Sequence, residues 1–276
     1  MKNLFYSIGG SVMLLLMYSC QDDEIAPANL NLVKQTSIHS SQLGLTFDIM
    51  TDGDDLITGY NNIYIMVEGN SSGLDLSKLS LELATDMTMT TDMGTMHHGS
   101  PVEKPVLNEQ EKYFKGAIVF VMPSTAGEWK IILSASMERT SLMEELEMPI
   151  EVIMPNEPKL LSFMAGDDKY FISIVEPVSP VVGVNDFELT VHKKASMFSW
   201  PAIDDFTIEV EPEMPTMGHG SPNNVNPVHM ENGHYVGKVN FTMDGYWRLN
   251  LLIKQGEDLL KEDIGFDMTF TSISTQ

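Results

Sequence analysis

Cysteine and basic residues are both scarce in this sequence of 276 residues. The single cysteine, Cys20, excludes a disulfide within the chain and a zinc site built on several thiolates. Only 16 Lys and Arg residues stand against 39 Asp and Glu, which gives a formal net charge of −23. So few cations cannot form the basic surface that nucleic-acid binding requires, and they give no electrostatic attraction to anionic lipid. We therefore expect no nucleic-acid partner.

Recognisable catalytic motifs are also lacking. The sequence has no His-Glu-x-x-His pair and no phosphate-binding loop. With 39 carboxylates, acidic pairs arise by chance, so their number does not indicate a glycosidase. We predict that the protein is not an enzyme.

Long apolar runs are absent except at the N-terminus. An apolar run follows Lys2 and ends shortly before Cys20, and it is too short to span a bilayer comfortably. This pattern is typical of a secretory signal peptide at residues 1–19. It resembles a bacterial lipoprotein signal, in which Cys20 is acylated, followed here by an acidic tether over residues 20–36. We predict lipid anchoring at the outer membrane or cell surface, with a periplasm-facing orientation left open. Simple secretion is the alternative.

A nine-residue motif occurs twice along the chain. Residues 93–101 read MGTMHHGSP and residues 214–222 read MPTMGHGSP, so seven of nine positions are identical at an offset of 121 residues. A Gly-x-Trp segment follows each motif, ending at Trp129 and at Trp247. The shared order over this length indicates a tandem duplication.

Both copies alternate apolar and polar residues, as half-buried strands do. We expect strands over residues 43–49, 63–67, 79–83, 117–121, 129–133 and 148–153, and over 170–175, 187–191, 206–210, 235–241, 247–253 and 264–270. Residues 242–245 are interpreted as a hairpin turn. Trp129 and Trp247 are expected in the cores. The pattern predicts an all-β chain with two tandem immunoglobulin-like β-sandwiches, over residues 37–155 and 156–276.

Methionine is abundant, with 21 residues, and it gathers with histidine in the repeated motif. The Gly and Pro residues of the motif predict a surface loop or irregular edge rather than a regular strand. Thioether sulfur is a soft ligand and imidazole a borderline one, so this residue set favours Cu(I) over Ca²⁺ or Mg²⁺. The candidate ligands are Met93, Met96, His97 and His98 in the first copy, with Met87 and Met89 just before them, and Met214, Met217, His219, His229 and His234 in the second.

Two other interpretations of these loops stay open. Methionine packs adaptably, so the motif could cover the end of a sandwich, with His98 and His219 holding the turn by hydrogen bonds. Alternatively, the chain is a metal-free accessory module that contacts an envelope protein through both copies, which raises avidity. A ligand role requires Met217 and His219 themselves, whereas packing or adhesion accepts Leu and Gln.

The second copy resembles the YtkA-like/FixH-like domain. The resemblance rests on the Met-Pro-x-Met-x-His segment that begins at Met214 and on Gly-x-Trp at residues 245–247, and it covers most of residues 185–270. It implies a small extracytoplasmic β-sandwich of a kind associated with copper handling or with the assembly of copper oxidases. It also carries Met214, Met217 and His219 onto that role.

The first copy, over residues 61–153, is similar but has Gly94 in place of the motif proline. The resemblance extends to Met93, Met96 and His98 there. We therefore expect an extracytoplasmic, lipid-anchored module that stores, chaperones or delivers Cu(I). Its partners would be a copper donor or acceptor, or another envelope protein.

Overall fold

The computed structural model describes residues 31–69, 74–92, 94–138 and 142–271. The predicted signal peptide, Cys20 and most of the tether lie outside the described residues, and so does Met93. Within the described ranges, no helix is long and apolar enough to cross a membrane. Strands dominate the described chain, which confirms the predicted all-β fold.

The first half of the described chain folds as a sandwich of two antiparallel sheets. Its strands are β1 (Val33–Ser40), β2 (Leu45–Thr51), β3 (Leu56–Ile57), β4 (Gly59–Gly69), β5 (Leu79–Thr91), β6 (Gly94–His98), β7 (Val102–Asn108), β8 (Tyr113–Phe120), β9 (Glu128–Met137), β10 (Met143–Ile150) and β11 (Val152–Ile153). One sheet has the order β1-β2-β4-β8-β7 and the facing sheet the order β10-β9-β5-β6, while β11 pairs in parallel with β3. Because β1 begins at Val33, residues 33–36 belong to this sandwich and not to the predicted tether.

The second half repeats this architecture. Its strands are β12 (Leu160–Ala165), β13 (Asp168–Glu176), β14 (Gly183–Lys193), β15 (Phe206–Met214), β16 (His219–Gly220), β17 (Val225–His229), β18 (His234–Phe241), β19 (Gly245–Gln255) and β20 (Asp258–Phe270). The sheets have the orders β12-β13-β14-β18-β17 and β16-β15-β19-β20, which match the first half strand for strand. The chain therefore contains two tandem immunoglobulin-like sandwiches, as predicted.

Each sandwich is built around one tryptophan. Trp129 and Trp247 are 2% and 0% exposed, which confirms that both fill the cores. Their indole N–H groups donate to the carbonyls of Met122 and Met243, at 2.9 and 3.0 Å. Met122 and Met243 are separated by the same 121 residues as the repeated motifs, so each tryptophan ties its strand to the same point of the connection that precedes it.

The predicted hairpin at residues 242–245 is wrong. Strands β18 and β19, which this segment joins, belong to different sheets of the second sandwich. Phe241 and Trp247 are both buried, and their ring centroids lie 5.4 Å apart across the core. The segment therefore carries the chain from one sheet to the facing sheet, and the side chains on both sides of it point into the same core.

Candidate functional site

The first Met/His motif forms an edge hairpin of the first sandwich. Strand β5 continues to Thr91 and pairs with β6, placing Met87 opposite His98 and Met89 opposite Met96. The prediction that this motif avoids regular strand is therefore wrong in the first copy. Alternation of Met with Thr continues the strand pattern beyond Leu83, and this extends β5.

Four side chains with soft or borderline donor atoms share one face of this hairpin. Directly opposed residues of antiparallel strands project to the same side, and so do alternate residues of one strand. Met87, Met89, Met96 and His98 therefore lie on one face. Met87 and His98 are 0% and 3% exposed, whereas Met96 is 41% exposed. The group extends from the core to the solvent at the end of the sandwich.

The His98 imidazole is held in one orientation. Its Nδ1 lies 2.9 Å from the carbonyl oxygen of Gly99, and since a carbonyl only accepts, Nδ1 carries the proton. The ring meets Trp129 edge to face, with centroids 5.3 Å apart and planes at 90°. The other nitrogen, Nε2, is buried with no hydrogen-bond partner. An unpaired buried acceptor of this kind costs about 1–3 kcal/mol.

The second copy has the same arrangement in shorter form. Met214 lies opposite His219 across β15 and β16, and Met214 is buried. The Nδ1 of His219 donates to the carbonyl of Gly220 at 2.9 Å, and its ring meets Trp247 edge to face at 5.8 Å. Met217 is 59% exposed, in the turn between the two strands.

The structural counterpart of Met214 is Met87, not Met93 as the sequence offset suggested. A Cβ atom added at Gly127 would lie 3.0 Å from the Met87 Cε, and one added at Gly245 would lie 3.0 Å from the Met214 Cε. Each methionine thus packs on the glycine of the Gly-x-Trp segment.

The offset error comes from the hairpin length. Ten residues separate Met87 from His98 and four separate Met214 from His219, so the first hairpin is six residues longer. The extra residues contain further methionines, so a comparison of the two sequences aligns Met93 with Met214 in place of Met87. The cross-strand pairing, which the sequence offset does not show, identifies Met87.

His97 does not join the Met/His face. It lies on the opposite side of the hairpin, where its Nδ1 is 3.1 Å from both carboxylate oxygens of Asp86. His229 and His234 are also separate from His219. His234 begins β18, whereas Phe241, which packs on Trp247, ends it. The seven residue steps from His234 to Phe241, at about 3.3 Å each, place His234 roughly 23 Å along the strand from the end of β18 that packs on Trp247.

His234 instead connects the two sandwiches. Its Nδ1 donates to Glu188 at 2.6 Å, and its Nε2 donates to Glu103 of the first sandwich at 2.8 Å. Burial alone would lower the pKa of His234, but the hydrogen bonds to the two carboxylates raise it to about 9. A protonated imidazole with both nitrogens engaged is not a metal ligand. His229 packs against Tyr235, at 5.4 Å between ring centroids.

The described ranges contain no group of three or more His, Cys, Asp or Glu side chains placed to hold a metal ion. Thioether sulfur is a metal donor outside that set. The hairpin faces described above supply that sulfur: Met87, Met89 and Met96 beside His98, and Met214 beside His219.

Similarity to solved structures is weak. Domains 5–6 of the S-layer protein SbsC are 11% identical, with 88% of this chain and 100% of that chain covered and a TM-score of 0.31. The bacterial integrin-binding protein invasin is 9% identical, with 83% and 39% covered and a TM-score of 0.26. A marsupial T cell receptor is 7% identical, with 86% and 63% covered and a TM-score of 0.21. Scores this low say nothing about function.

Comparison with protein families is more informative. No curated protein matches the chain. The family described as YtkA-like matches residues 164–251, from β12 to within β19. This range includes Met214, His219 and Trp247, the three residues that define the Met/His arrangement of the second copy. The second sandwich therefore contains, over residues 164–251, a YtkA-like domain.

Proposed function

We propose that this protein is a non-enzymatic, extracytoplasmic module that binds Cu(I) through its two Met/His hairpins, to store, chaperone or deliver the ion. The observation that carries the proposal is the His98 imidazole. Its Nδ1–H is fixed on the carbonyl of Gly99, while its buried Nε2 has no partner. Histidines that bind metals typically donate their other ring N–H to a carboxylate or a backbone carbonyl in this way.

The neighbouring side chains fit a soft metal. Met87, Met89 and Met96 share the hairpin face with His98, and thioether sulfur selects Cu(I) over hard cations. The sulfur donors carry no proton, so binding to them does not compete with protonation. The first hairpin thus offers three thioethers and one imidazole, and bound Cu(I) would be a cargo ion.

The second hairpin offers a smaller donor set. Met214 and His219 lie opposite each other, and Met217 is exposed in the turn between them. The repeated Nδ1–H bond to the next carbonyl prepares His219 in the same way as His98. We propose a second, more open Cu(I) site here. A copper donor or acceptor would reach it from the solvent.

The proposed location of the protein is outside the cytoplasm. The signal-like N-terminus and Cys20 support export and lipid anchoring at the outer membrane or cell surface. Methionine also suits an oxidising compartment, because it forms no disulfide. The YtkA-like match supports the extracytoplasmic setting that the sequence resemblance implies.

Competition for Cu(I) against a chromophoric chelator, under anaerobic reducing conditions, tests the proposal. Protein starting at Gln21 should bind two equivalents. Met87→Leu/His98→Gln should lose one, and Met214→Leu/His219→Gln the other. Met148→Leu is the matched control, because Met148 is a buried core methionine of the first sandwich outside the hairpin. No competition by the folded protein would refute copper binding, and full binding by both double variants would refute the two hairpins as its sites.

Contact with an envelope protein is the second candidate function. Large apolar side chains are exposed near one another in the connection before β14 and at its start: Val178, Val181, Val182 and Val184. A metal-free accessory module would use such a surface and would tolerate Leu and Gln in the hairpins. Retention of a partner by the two double variants, together with no copper binding, favours this candidate.

A further inference from the structure

Each Met/His hairpin combines a buried methionine with an exposed one. Met87 and Met214 are buried, and each packs on the glycine of its Gly-x-Trp segment. Met96, which lies opposite Met89 in β6, is 41% exposed, and Met217, in the turn between β15 and β16, is 59% exposed. The division is the same in both copies, although the first hairpin is six residues longer. One methionine of each hairpin is therefore open to reagents in the solvent.

An exposed thioether reacts with peroxides. Hydrogen peroxide transfers one oxygen atom to the methionine sulfur: an S–O bond forms, the O–O bond breaks and water leaves. The sulfur loses two electrons in this step, and the peroxide gains them. The product, methionine sulfoxide, is polar and presents a hard oxygen where the thioether presented soft sulfur. Because Cu(I) prefers soft donors, oxidation removes a suitable donor while leaving the residue in place.

Burial decides which methionines an oxidant can change without harm to the fold. A sulfoxide inside a core disrupts its packing, but Met87 and Met214 are shielded there. Met96 and Met217 are already in contact with water, so a polar oxygen on their sulfur costs little packing. Reductases convert methionine sulfoxide back to the thioether, so the change is also reversible. Oxidation at these two positions would therefore alter the donor set and preserve both sandwiches.

We propose that Met96 and Met217 are oxidation sites, and that peroxide weakens Cu(I) binding at the hairpins by converting both residues to sulfoxides. This inference rests on the proposed copper function and adds its regulation. Each hairpin keeps its buried methionine and its histidine. The first hairpin loses one of four donors and the second loses one of three, so the second should lose more affinity.

Peptide mass spectrometry tests the oxidation sites without copper. Metal-free protein starting at Gln21 is treated with hydrogen peroxide for increasing times. Sulfoxide should form at Met217 and Met96, while Met87 and Met214 stay unmodified in the folded protein. Circular dichroism follows the fold throughout. Oxidation of the buried methionines at the same rate as the exposed ones, or no oxidation of Met96 and Met217, would overturn the proposal.

Competition for Cu(I) then measures the effect on binding. Catalase removes the peroxide first, because Cu(I) itself reacts with it. Oxidised wild type should bind Cu(I) about tenfold or more weakly at each hairpin, since even the loss of an outer-shell partner costs about 10–100-fold in metal affinity. Treatment with methionine sulfoxide reductases for both sulfoxide epimers should restore the affinity.

The variant Met96→Leu/Met217→Leu is the matched control. It should bind as weakly as oxidised wild type and should not respond to peroxide. It retains other methionines that are more than half exposed and lie outside the hairpins: Met143, Met154, Met164 and Met230. Their oxidation in the variant therefore reports any general effect of sulfoxides.

The outcomes separate this inference from the copper function. Undiminished Cu(I) binding by wild type that carries both sulfoxides would overturn the regulation, and so would an equal peroxide-induced loss in the variant. Absence of Cu(I) binding by the untreated protein would refute the copper function itself, and its regulation with it.

Discussion

His234 in the second sandwich donates a hydrogen bond to Glu103 in the first, with 2.8 Å between Nε2 and Oε1. Glu188 holds the other ring nitrogen, and the ring packs edge to face on Tyr60 of the first sandwich. A positive charge between two carboxylates therefore joins the sandwiches. Loss of that charge would leave two anions facing each other around a neutral ring.

Alkaline pH should weaken this junction. The folded pKa of His234 is about 9, above the usual histidine value of 6.5. The contribution of the protonated His234 to the free energy of unfolding, about 3 kcal/mol, is thus complete below pH 6.5 and is lost as the pH rises through 9. Urea unfolding between pH 6 and 10 measures it. His234→Gln should flatten that profile, and an equal slope in wild type and variant would contradict the assignment.

His192 should behave in the opposite way. Burial lowers its pKa from 6.5 to about 4, so the unfolded chain binds this proton more readily. Its contribution to stability is complete above pH 6.5 and decreases as pH falls towards 4. A titration of the imidazole protons by NMR should place the pKa of His192 more than one unit below the ordinary histidine value of about 6.5. Titration of His192 above pH 6 would show that the ring is not buried as described.

Gly127 should not tolerate a side chain. A Cβ there would lie 2.6 Å from the Thr88 carbonyl and 3.0 Å from the Met87 Cε. Gly127→Ala should therefore destabilise the first sandwich by about 1–3 kcal/mol through overpacking. Thermal unfolding measures the change. Gly53→Ala is the control, because its Cβ would meet only the Asp55 carbonyl at 3.7 Å. Equal melting temperatures for both variants would rule out close packing at Gly127.

Copper should stabilise the folded protein if the hairpins bind it. Free Cu(I) at 100 times the dissociation constant should raise the free energy of unfolding by about 2.7 kcal/mol per site. Met87→Leu should reduce that gain while lowering metal-free stability by less than about 1.5 kcal/mol. Differential scanning calorimetry with and without Cu(I) separates the two effects. Met148→Leu should keep the full gain, and its loss there would point to a general packing effect.

The central strands could be predicted from sequence, and most of the edge strands could not. All twelve predicted strands lie largely within observed ones, because alternating side chains such as those of β15 face one core. The edge strands β1, β6, β7, β12, β16 and β17 were missed. Pro105 and Pro227 interrupt the pattern in β7 and β17, and an edge strand keeps only one neighbour to hold it in register.

The candidate site was predicted in part. His98 and His219 were identified by the repeated motif, and the structure gives them matching surroundings. The pairing of Met87 with His98 required knowledge of the structure, because the two residues are eleven positions apart across a hairpin of unknown length. His234 was grouped with the ligands on residue type alone. Its carboxylate partners come from β7 and β14, distant in sequence, so no local pattern revealed them.

The extra length of the first hairpin also shows where this protein should accept an inserted segment. The two sandwiches share a strand order but differ by six residues at this one tip, where Thr91, Asp92 and Gly94 are exposed. A peptide tag or a fluorophore attachment site inserted after Asp92 should leave both cores intact, as insertions at exposed tips generally do. Such a handle would permit the protein to be labelled without touching either terminus.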